Sequence, residues 1–313
     1  MVESNRSGKM SRRALLGVAV AASLAGCTPV ATPSPTRSST PTPTPKPTPT
    51  PSAISLAAPF GALEKEFDAR LGVWALNTGS LLSTEYRSDE RFAFCSTHKI
   101  FSAGAVLDKY TIDELETVVQ YTHSDLIANS PISEPNVATG MTLRALCDAA
   151  VRYSDNTAAN LLFRDLGGPD ALETFMRNMG DQVSDMSRIE AALSSAIPGD
   201  IRDTSTPRAW GADLQKIILG DVLPPEKHAI LTDWMVRNTT GAGLIRATVP
   251  EGWNVGDKTG SGHYGARNDI AVLWPPKEKP LVLAIMTSRP GAADPYDDDL
   301  IARAADAVIK ALA

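Results

Sequence analysis

From Thr28 to Ser52 almost every residue is proline, threonine or serine. Proline brings no backbone N–H, and the short polar side chains between the prolines give nothing apolar to bury. Such a run cannot enter a core and stays extended. At about 3.1 Å per residue it reaches roughly 80 Å, the dimensions of a stalk over residues 27–53. Any folded domain is therefore confined to 54–313, a stretch long enough for one large domain or two intimate parts with a real core.

Ahead of the stalk, Arg6, Lys9, Arg12 and Arg13 form a basic start, followed by the apolar run Ala14–Ala25. That run is too short to cross a bilayer and gives residues 1–26 the form of a signal peptide. Ser11-Arg12-Arg13-Ala14-Leu15-Leu16 resembles a twin-arginine export signal. Leu24-Ala25-Gly26-Cys27 resembles a bacterial lipobox, in which cleavage precedes the cysteine and its thiol receives a lipid; the alternative is an ordinary signal peptide that happens to contain Cys27. On the lipobox reading the protein is exported and held at the extracytoplasmic face of the bacterial cell membrane through Cys27 alone. Cys95 and Cys147 remain. An oxidising compartment permits them to pair, but Cys95 reads better as a small buried apolar side chain.

The formal net charge is −6 and the sequence pI about 5.3, which gives no basic footprint for a nucleic acid. His98, His123, His228 and His263 form neither H-x-H nor H-E-x-x-H, so no metal and no other cofactor is expected. Gly256-Asp257-Lys258-Thr259 lacks the first glycine and the G-K-[ST] adjacency of a phosphate-binding loop. A monomer is expected.

Leu63, Phe67 and Leu71 recur at helical spacing, so the folded part opens on an amphipathic helix. Gly72–Leu76 reads as a strand and Asn77-Thr78-Gly79 as a turn into another. From Ser96 to Gly220 the patterns are helical. Asp155-Asn156 caps one helix, which ends near Gly167-Gly168. Asp269–Trp274 and Pro280–Thr287 are apolar strand-like runs, and an alanine-rich helix runs from Asp298 to Ala313. Strands and helices at both chain ends flank a helical middle. The fold class is α/β: an antiparallel sheet flanked by the N- and C-terminal helices (54–94 and 236–313), an inserted all-helical part (95–235), and a site in the cleft between them.

Three short motifs carry chemistry. In Ser96-Thr97-His98-Lys99, a helix beginning at Ser96 puts Lys99 one turn away on the same face, within reach of the hydroxyl. A desolvated lysine can lose its proton and serve as a base, and the helix N-terminus favours the negative charge of the attack. Ser154-Asp155-Asn156 and Lys258-Thr259-Gly260 follow; taken singly they read as a helix cap and a strand edge.

In that order the three motifs resemble those of the serine β-lactamase and penicillin-binding protein superfamily. Arg188-Ile189-Glu190-Ala191-Ala192-Leu193 with Ala196–Thr204 narrows the resemblance to class A β-lactamases, where it is similar to the omega loop closed by a pair matching Arg188 and Asp203. Trp253–Gly260 and Ala150–Leu162 resemble the class too, so the likeness covers essentially all of 55–313. It implies hydrolysis of the β-lactam amide bond of penicillins and cephalosporins, hence antibiotic resistance. Ser96 is then the nucleophile, with the N–H groups of Ser96 and Ser261 as oxyanion hole. Lys99 assists proton movement, Ser154 passes a proton to the lactam nitrogen, and Lys258 supports Ser154 and attracts the substrate carboxylate. Glu190 activates the deacylating water. The resemblance leaves open whether Lys99 or Glu190 is the acylation base. Asn156 is implied for the substrate side-chain amide, and Thr259, Gly260, Ser261 and Arg267 for its carboxylate end; the alternative for Arg267 is a solvated strand charge.

Two positions depart from the class. Ser194 stands where an asparagine usually helps Glu190 hold the water, and Asn129 where an aromatic residue often lines the entrance. Both are expected to touch substrate chemistry: a slower deacylation at Ser194, a weaker stacking surface at Asn129. Ser261 beside Gly260 is compatible with cephalosporin or carbapenem turnover. The rival readings are a DD-peptidase or penicillin-binding protein, which has no need of Glu190, and a non-catalytic lipoprotein that senses β-lactams or binds cell wall.

Overall fold

The computed structural model describes Ser52–Ala313. The readings made for residues 1–51, including the signal peptide, the lipobox with Cys27 and nearly all of the stalk, lie outside the described residues. Regular structure begins ahead of the expected Ile54: β1 (Ser52–Ala53) pairs parallel with β3 (Leu82–Tyr86).

Helix α1 (Ala57–Phe67) stops before the periodicity that announced it, because Asp68 turns left-handed at φ 46° and its N–H closes on the Glu64 carbonyl. Leu71 belongs instead to β2 (Arg70–Asn77). It still packs in one cluster with Phe60 and Leu63, so the helical spacing had marked a shared core rather than a shared helix. At the other end of β2, Asn77 Oδ1 accepts the N–H groups of Gly79 and Ser80 and makes the expected turn into β3.

Between the two ends run β4 (Phe92–Ala93), α2 (Lys99–Lys109), β5 (Val118–Val119), β6 (Met141–Thr142), α3 (Leu143–Arg152), α4 (Asn156–Leu166), α5 (Pro169–Asn178), β7 (Thr204–Ser205), α6 (Pro207–Leu219) and α7 (Pro225–Val236). The chain then returns through β8 (Asn254–Ser261), β9 (Arg267–Trp274) and β10 (Leu281–Ser288) to α8 (Asp298–Leu312). The main sheet has the order β1-β3-β2-β10-β9-β8 and is antiparallel except for the short β1–β3 pair.

Alternate residues of the sheet serve two cores. Val73, Ala75, Ala271, Leu283 and Ile285 face α1 and α8, while Trp74, Leu76, Ile270, Val272 and Ala284 face the helical layer. With both faces covered, these strands read as continuous apolar runs. Helix α2 is buried at every position from Lys99 to Leu107, which places it at the centre of the helical part. Helix α6 lies directly on the sheet: a Cβ on Gly211 would sit 2.2 Å from the Trp74 ring. Its Trp210 stacks on Phe94 at 5.0 Å and donates from Nε1 to Thr97 Oγ1 at 2.8 Å. That contact anchors the turn at the mouth of α2 to the sheet. Cys95 and Cys147 are both buried free thiols, Cys147 within the helical core and Cys95 against the Ala93 carbonyl, and the disulfide alternative is set aside.

Candidate active site

Cys95–His98 forms a 3₁₀ turn that runs into α2, where the spacing alone predicted α-helix from Ser96 onward. In a 3₁₀ turn residues three apart eclipse one another, and Lys99 Nζ lies 3.0 Å from Ser96 Oγ. Lys99 Nζ also donates to Asn156 Oδ1 at 2.6 Å and to the Ser154 carbonyl at 2.8 Å. Ser96 Oγ in turn donates to Glu190 Oε1 at 3.0 Å, and Lys99 Nζ stands 3.2 Å from that same oxygen.

The second motif works residue by residue. Ser154 is held left-handed at φ 56° between α3 and α4. Its hydroxyl lies 3.1 Å from Lys258 Nζ and 3.5 Å from Lys99 Nζ, between the two cations. Asp155 caps α4 through Oδ1 to the Ala158 N–H, and its Oδ2 takes the N–H groups of Ile132 and Ser133. It thereby fastens the loop that carries Asn129, whose carbonyl accepts the Asn156 N–H at 3.0 Å. Asn129 is exposed at this rim.

Lys258 and Gly260 come from β8, the strand at the end of the sheet. Lys258 Nζ also donates to the Thr259 carbonyl at 2.8 Å. The third motif needs its glycine: a Cβ at Gly260 would lie 2.9 Å from the Phe94 carbonyl and 3.2 Å from Ser96 N. Only a bare backbone lets β8 run this close to the Ser96 N–H. Ser261 follows, exposed at the strand end, and Thr259 Oγ1 meets Thr240 Oγ1 at 2.6 Å.

Glu190 arrives on a loop whose neck is closed as the residue pair implied. Arg188 Nε donates to Asp203 Oδ2, and Asp203 Oδ1 accepts the N–H groups of Ser187 and Arg188, both at 2.9 Å. Ser194 Oγ donates to Glu190 Oε2 at 3.2 Å.

Arg267 is the sequence candidate that the structure does not bring into this network. Its guanidinium is held by Asp298, with Nε 2.6 Å from Oδ1, and lies over the Tyr296 ring. It is neither hydrogen-bonded to the Ser96–Lys258 cluster nor the solvated strand charge of the alternative. Sequence reasoning also passed over two residues. Asn160, one turn beyond Asn156 on the same face of α4, binds the Glu190 main chain; the repeat of an asparagine at i+4 was the available signal. His98, inside the first motif, is wholly buried beside Glu190.

The electrostatics follow from burial. Desolvation pulls Lys99 below its ordinary value, and the Glu190 charge partly restores it. For Glu190 desolvation pushes upward, but Lys99 and the hydrogen bonds from its neighbours prevail, and the carboxyl stays ionised far into acid. Burial, and then repulsion from Lys99, push Lys258 down to about 7. The arrangement offers a nucleophilic hydroxyl, an ionised carboxylate touching it, and two buried lysines on either side of a second hydroxyl. These are the components of acyl transfer through a serine ester.

Comparison with known proteins agrees. The family described as the beta-lactamase enzyme family matches residues 55–312. The β-lactamase of Amycolatopsis lactamdurans is 55% identical over 253 residues, 81% of this chain and 84% of that protein. That of Mycobacterium tuberculosis (strain ATCC 25177 / H37Ra) is 50% identical over 266 residues, 82% and 86% respectively. Among solved structures, a halotolerant bacterial β-lactamase superposes with a TM-score of 0.80 at 50% identity, covering 82% of this chain and 98% of its own. The class A β-lactamase of Clostridium kluyveri DSM 555 gives 0.80 at 45% identity, covering 81% and 97%. With the site geometry, these likenesses make the chain a member of the β-lactamase enzyme family, in its class A.

Proposed function

We propose that this β-lactamase opens the amide bond of penicillins and cephalosporins through an ester on Ser96, and that Glu190 drives both ends of the cycle. The observation that carries the reading is the pair of contacts at Ser96 Oγ, accepting from Lys99 Nζ and donating to Glu190 Oε1, each at 3.0 Å. The three nearest acceptors of Lys99 Nζ are Asn156 Oδ1, the Ser154 carbonyl and Ser96 Oγ, with Glu190 Oε1 farther off at 3.2 Å, so the three N–H bonds of an ammonium are engaged chiefly there. The Ser96 proton then points at Glu190, and this favours Glu190 over Lys99 as its first acceptor.

As Oγ bonds to the lactam carbonyl carbon, the proton passes to Glu190 and the N–H groups of Ser96 and Ser261 receive the developing oxyanion. The C–N bond breaks as Ser154, which Lys99 and Lys258 flank, gives its proton to the nitrogen, and the proton held by Glu190 passes by way of Lys99 to Ser154, so that Glu190 is a carboxylate again before the water enters. A water then adds to the ester carbonyl while Glu190 takes its proton, and Ser96 leaves with its hydroxyl restored. Thr259, Gly260, Ser261 and Lys258 form the carboxylate end of the site, Asn156 receives the substrate side-chain amide, and Asn129 lines the entrance. The signal-peptide form of residues 1–26 and the lipobox at Cys27 support export, and tethering to the outer face of the cell membrane by lipid and stalk. The folded part then acts as a monomer.

The test is to mix the purified protein with excess benzylpenicillin and follow lactam absorbance and intact mass together. Loss of many equivalents, abolished in Ser96→Ala and stalled as an acyl adduct in Glu190→Gln, is expected. A single stoichiometric burst that leaves a stable adduct on wild-type Ser96 would show a penicillin-binding or sensor protein instead.

A further inference from the structure

We infer that His98 is a positioning residue for deacylation, a neutral imidazole that carries its proton on Nε2 and aims it at the Glu190 carboxylate, with the Ser102 hydroxyl donating to Nδ1. The inference rests on the reading of Glu190 as the deacylating base.

The geometry begins at the far side of the ring. His98 Nδ1 and Ser102 Oγ are 2.9 Å apart; among the described residues the other acceptor within reach of that hydroxyl, the His98 carbonyl, is 3.4 Å away. Nε2 faces a carboxylate oxygen, where a bare lone pair is repelled and an N–H is favoured; the ring's single proton then belongs on Nε2, and Nδ1 accepts from Ser102 Oγ. Nε2 is 3.5 Å from Glu190 Oε1. That is too long for a hydrogen bond, and Nε2 is left as a buried polar atom without a partner. Such an orphan is costly unless the site uses it.

The surroundings keep the ring neutral. Phe163 of α4 stacks on it at 5.1 Å, and Phe94 lies at 6.0 Å. The charged groups about it are Lys99 at the start of α2, Lys258 on β8 and Glu190 on the loop. Burial disfavours the imidazolium most strongly; the Glu190 carboxylate opposes this, and the two lysines add to it.

Glu190 Oε1 is crowded in the resting site, where Ser96 Oγ–H and Lys99 Nζ approach at 3.0 and 3.2 Å. Acylation converts the Ser96 hydroxyl to an ester oxygen with no proton to give. Oε1 then loses one donor at the stage when it must stay ionised and aimed at a water. A half-ångström approach of the His98 Nε2–H, of the order of ordinary side-chain relaxation, replaces it. The water's O–H proton goes to Glu190, its oxygen bonds to the ester carbon, and His98 gives up nothing. It orients and keeps the base charged.

The test uses the full chain. In histidine-labelled protein, nitrogen NMR shifts are expected to show His98 protonated on Nε2 and bare on Nδ1 at neutral pH; a proton on Nδ1, or on both nitrogens, overturns the inference whatever any variant does. His98→Phe, which keeps the stack on Phe163, is expected to slow deacylation roughly tenfold while acylation changes less than about twofold, and to move the acidic limb of kcat upward by about one pH unit. His98→Gln, which restores an N–H near Nε2, should recover part of the loss. Equal slowing of both steps with an unmoved acidic limb marks a purely structural role and overturns the inference. Glu190→Gln separates the levels: if it turns over at the wild-type rate, the reading of Glu190 fails and carries this one with it. If it stalls while His98→Phe behaves as wild type, only the His98 inference fails.

Discussion

Asn160 grips the main chain of Glu190 from both directions: its Oδ1 accepts the Glu190 N–H at 2.9 Å, and its Nδ2 donates to the Glu190 carbonyl at 2.8 Å. The loop that carries Glu190 is thus pinned to α4, the same helix that presents Asn156 to Lys99. Removing this clasp leaves the Arg188–Asp203 neck intact but frees the carboxylate to wander. Asn160→Ala is expected to slow deacylation by about 10–100-fold, since small misplacements of a reacting group cost that much. Acylated protein should accumulate during turnover, visible as intact mass. An adduct no longer-lived than in wild type would show that the neck alone holds Glu190.

Ser194 reaches Glu190 Oε2 with a single hydroxyl at 3.2 Å. An asparagine there has two N–H donors and a carbonyl, enough to hold carboxylate and water together. Ser194→Asn should change the deacylation rate by about three- to tenfold and acylation by less. Pre-steady-state kinetics separate the two, and equal effects on both steps would refute the idea.

Lys258 is pushed down to about 7, by burial first and by Lys99 next. Below that pH it is a cation beside Ser154 and, on the function proposed above, for the substrate carboxylate; as pH rises through about 7 it loses the proton. The kcat/KM profile is expected to fall on its alkaline side, mostly through KM. Arginine does not titrate in this range, so Lys258→Arg should remove that limb even if it lowers the plateau. A limb that persists unchanged assigns it to another group.

Asp213 on α6 is buried with one oxygen on Lys216, while its Oδ2 and that of Asp181 have no hydrogen-bond partner. Desolvation, and then the Asp181 charge, push it up to about 7. An unfolded chain releases this proton near about 4, so between those values the folded state binds more protons. The stability this gives is complete at low pH and is lost as pH rises through about 7. Asp213→Asn, which resembles the protonated form, should melt like wild type at about pH 4 and a few degrees higher at pH 8, a gain of about 1–2 kcal/mol. Thermal melts at the two pH values decide it; equal melting of both proteins at pH 8 means that Asp213 is not the titrating group.

The sequence carried the sheet and the three motifs well, for a physical reason. Strands covered on both faces are apolar throughout, and the residues that touch the reacting bond must be of fixed type. It carried the joints badly. Leu71 followed a helical spacing yet lies in β2, because Asp68 turned the chain while the core stayed the same. The tight turn at Cys95–His98 has no signature of its own; it is set by Gly260 pressing from β8 and by Trp210 holding Thr97. Arg267 was legible as a guanidinium near the carboxylate end, but its partner Asp298 lies on another element, and sequence spacing does not report such a meeting. Asn160 and His98 were missed for the same cause, since both act on a residue delivered by a distant loop.

The centre of the sheet joins Arg70–Asn77 to Leu281–Ser288, strands from nearly opposite ends of the domain. A ribosome has delivered almost the whole polypeptide before β2 can find the neighbour that lies inside the sheet. Until then its inner edge is unsatisfied, although α1 and α6 are already available to cover its faces. Such non-local closure is slow and exposes sticky edges while it waits. A chain truncated before Leu281 is therefore expected to lack the central strand pair and to aggregate rather than persist as a weak enzyme.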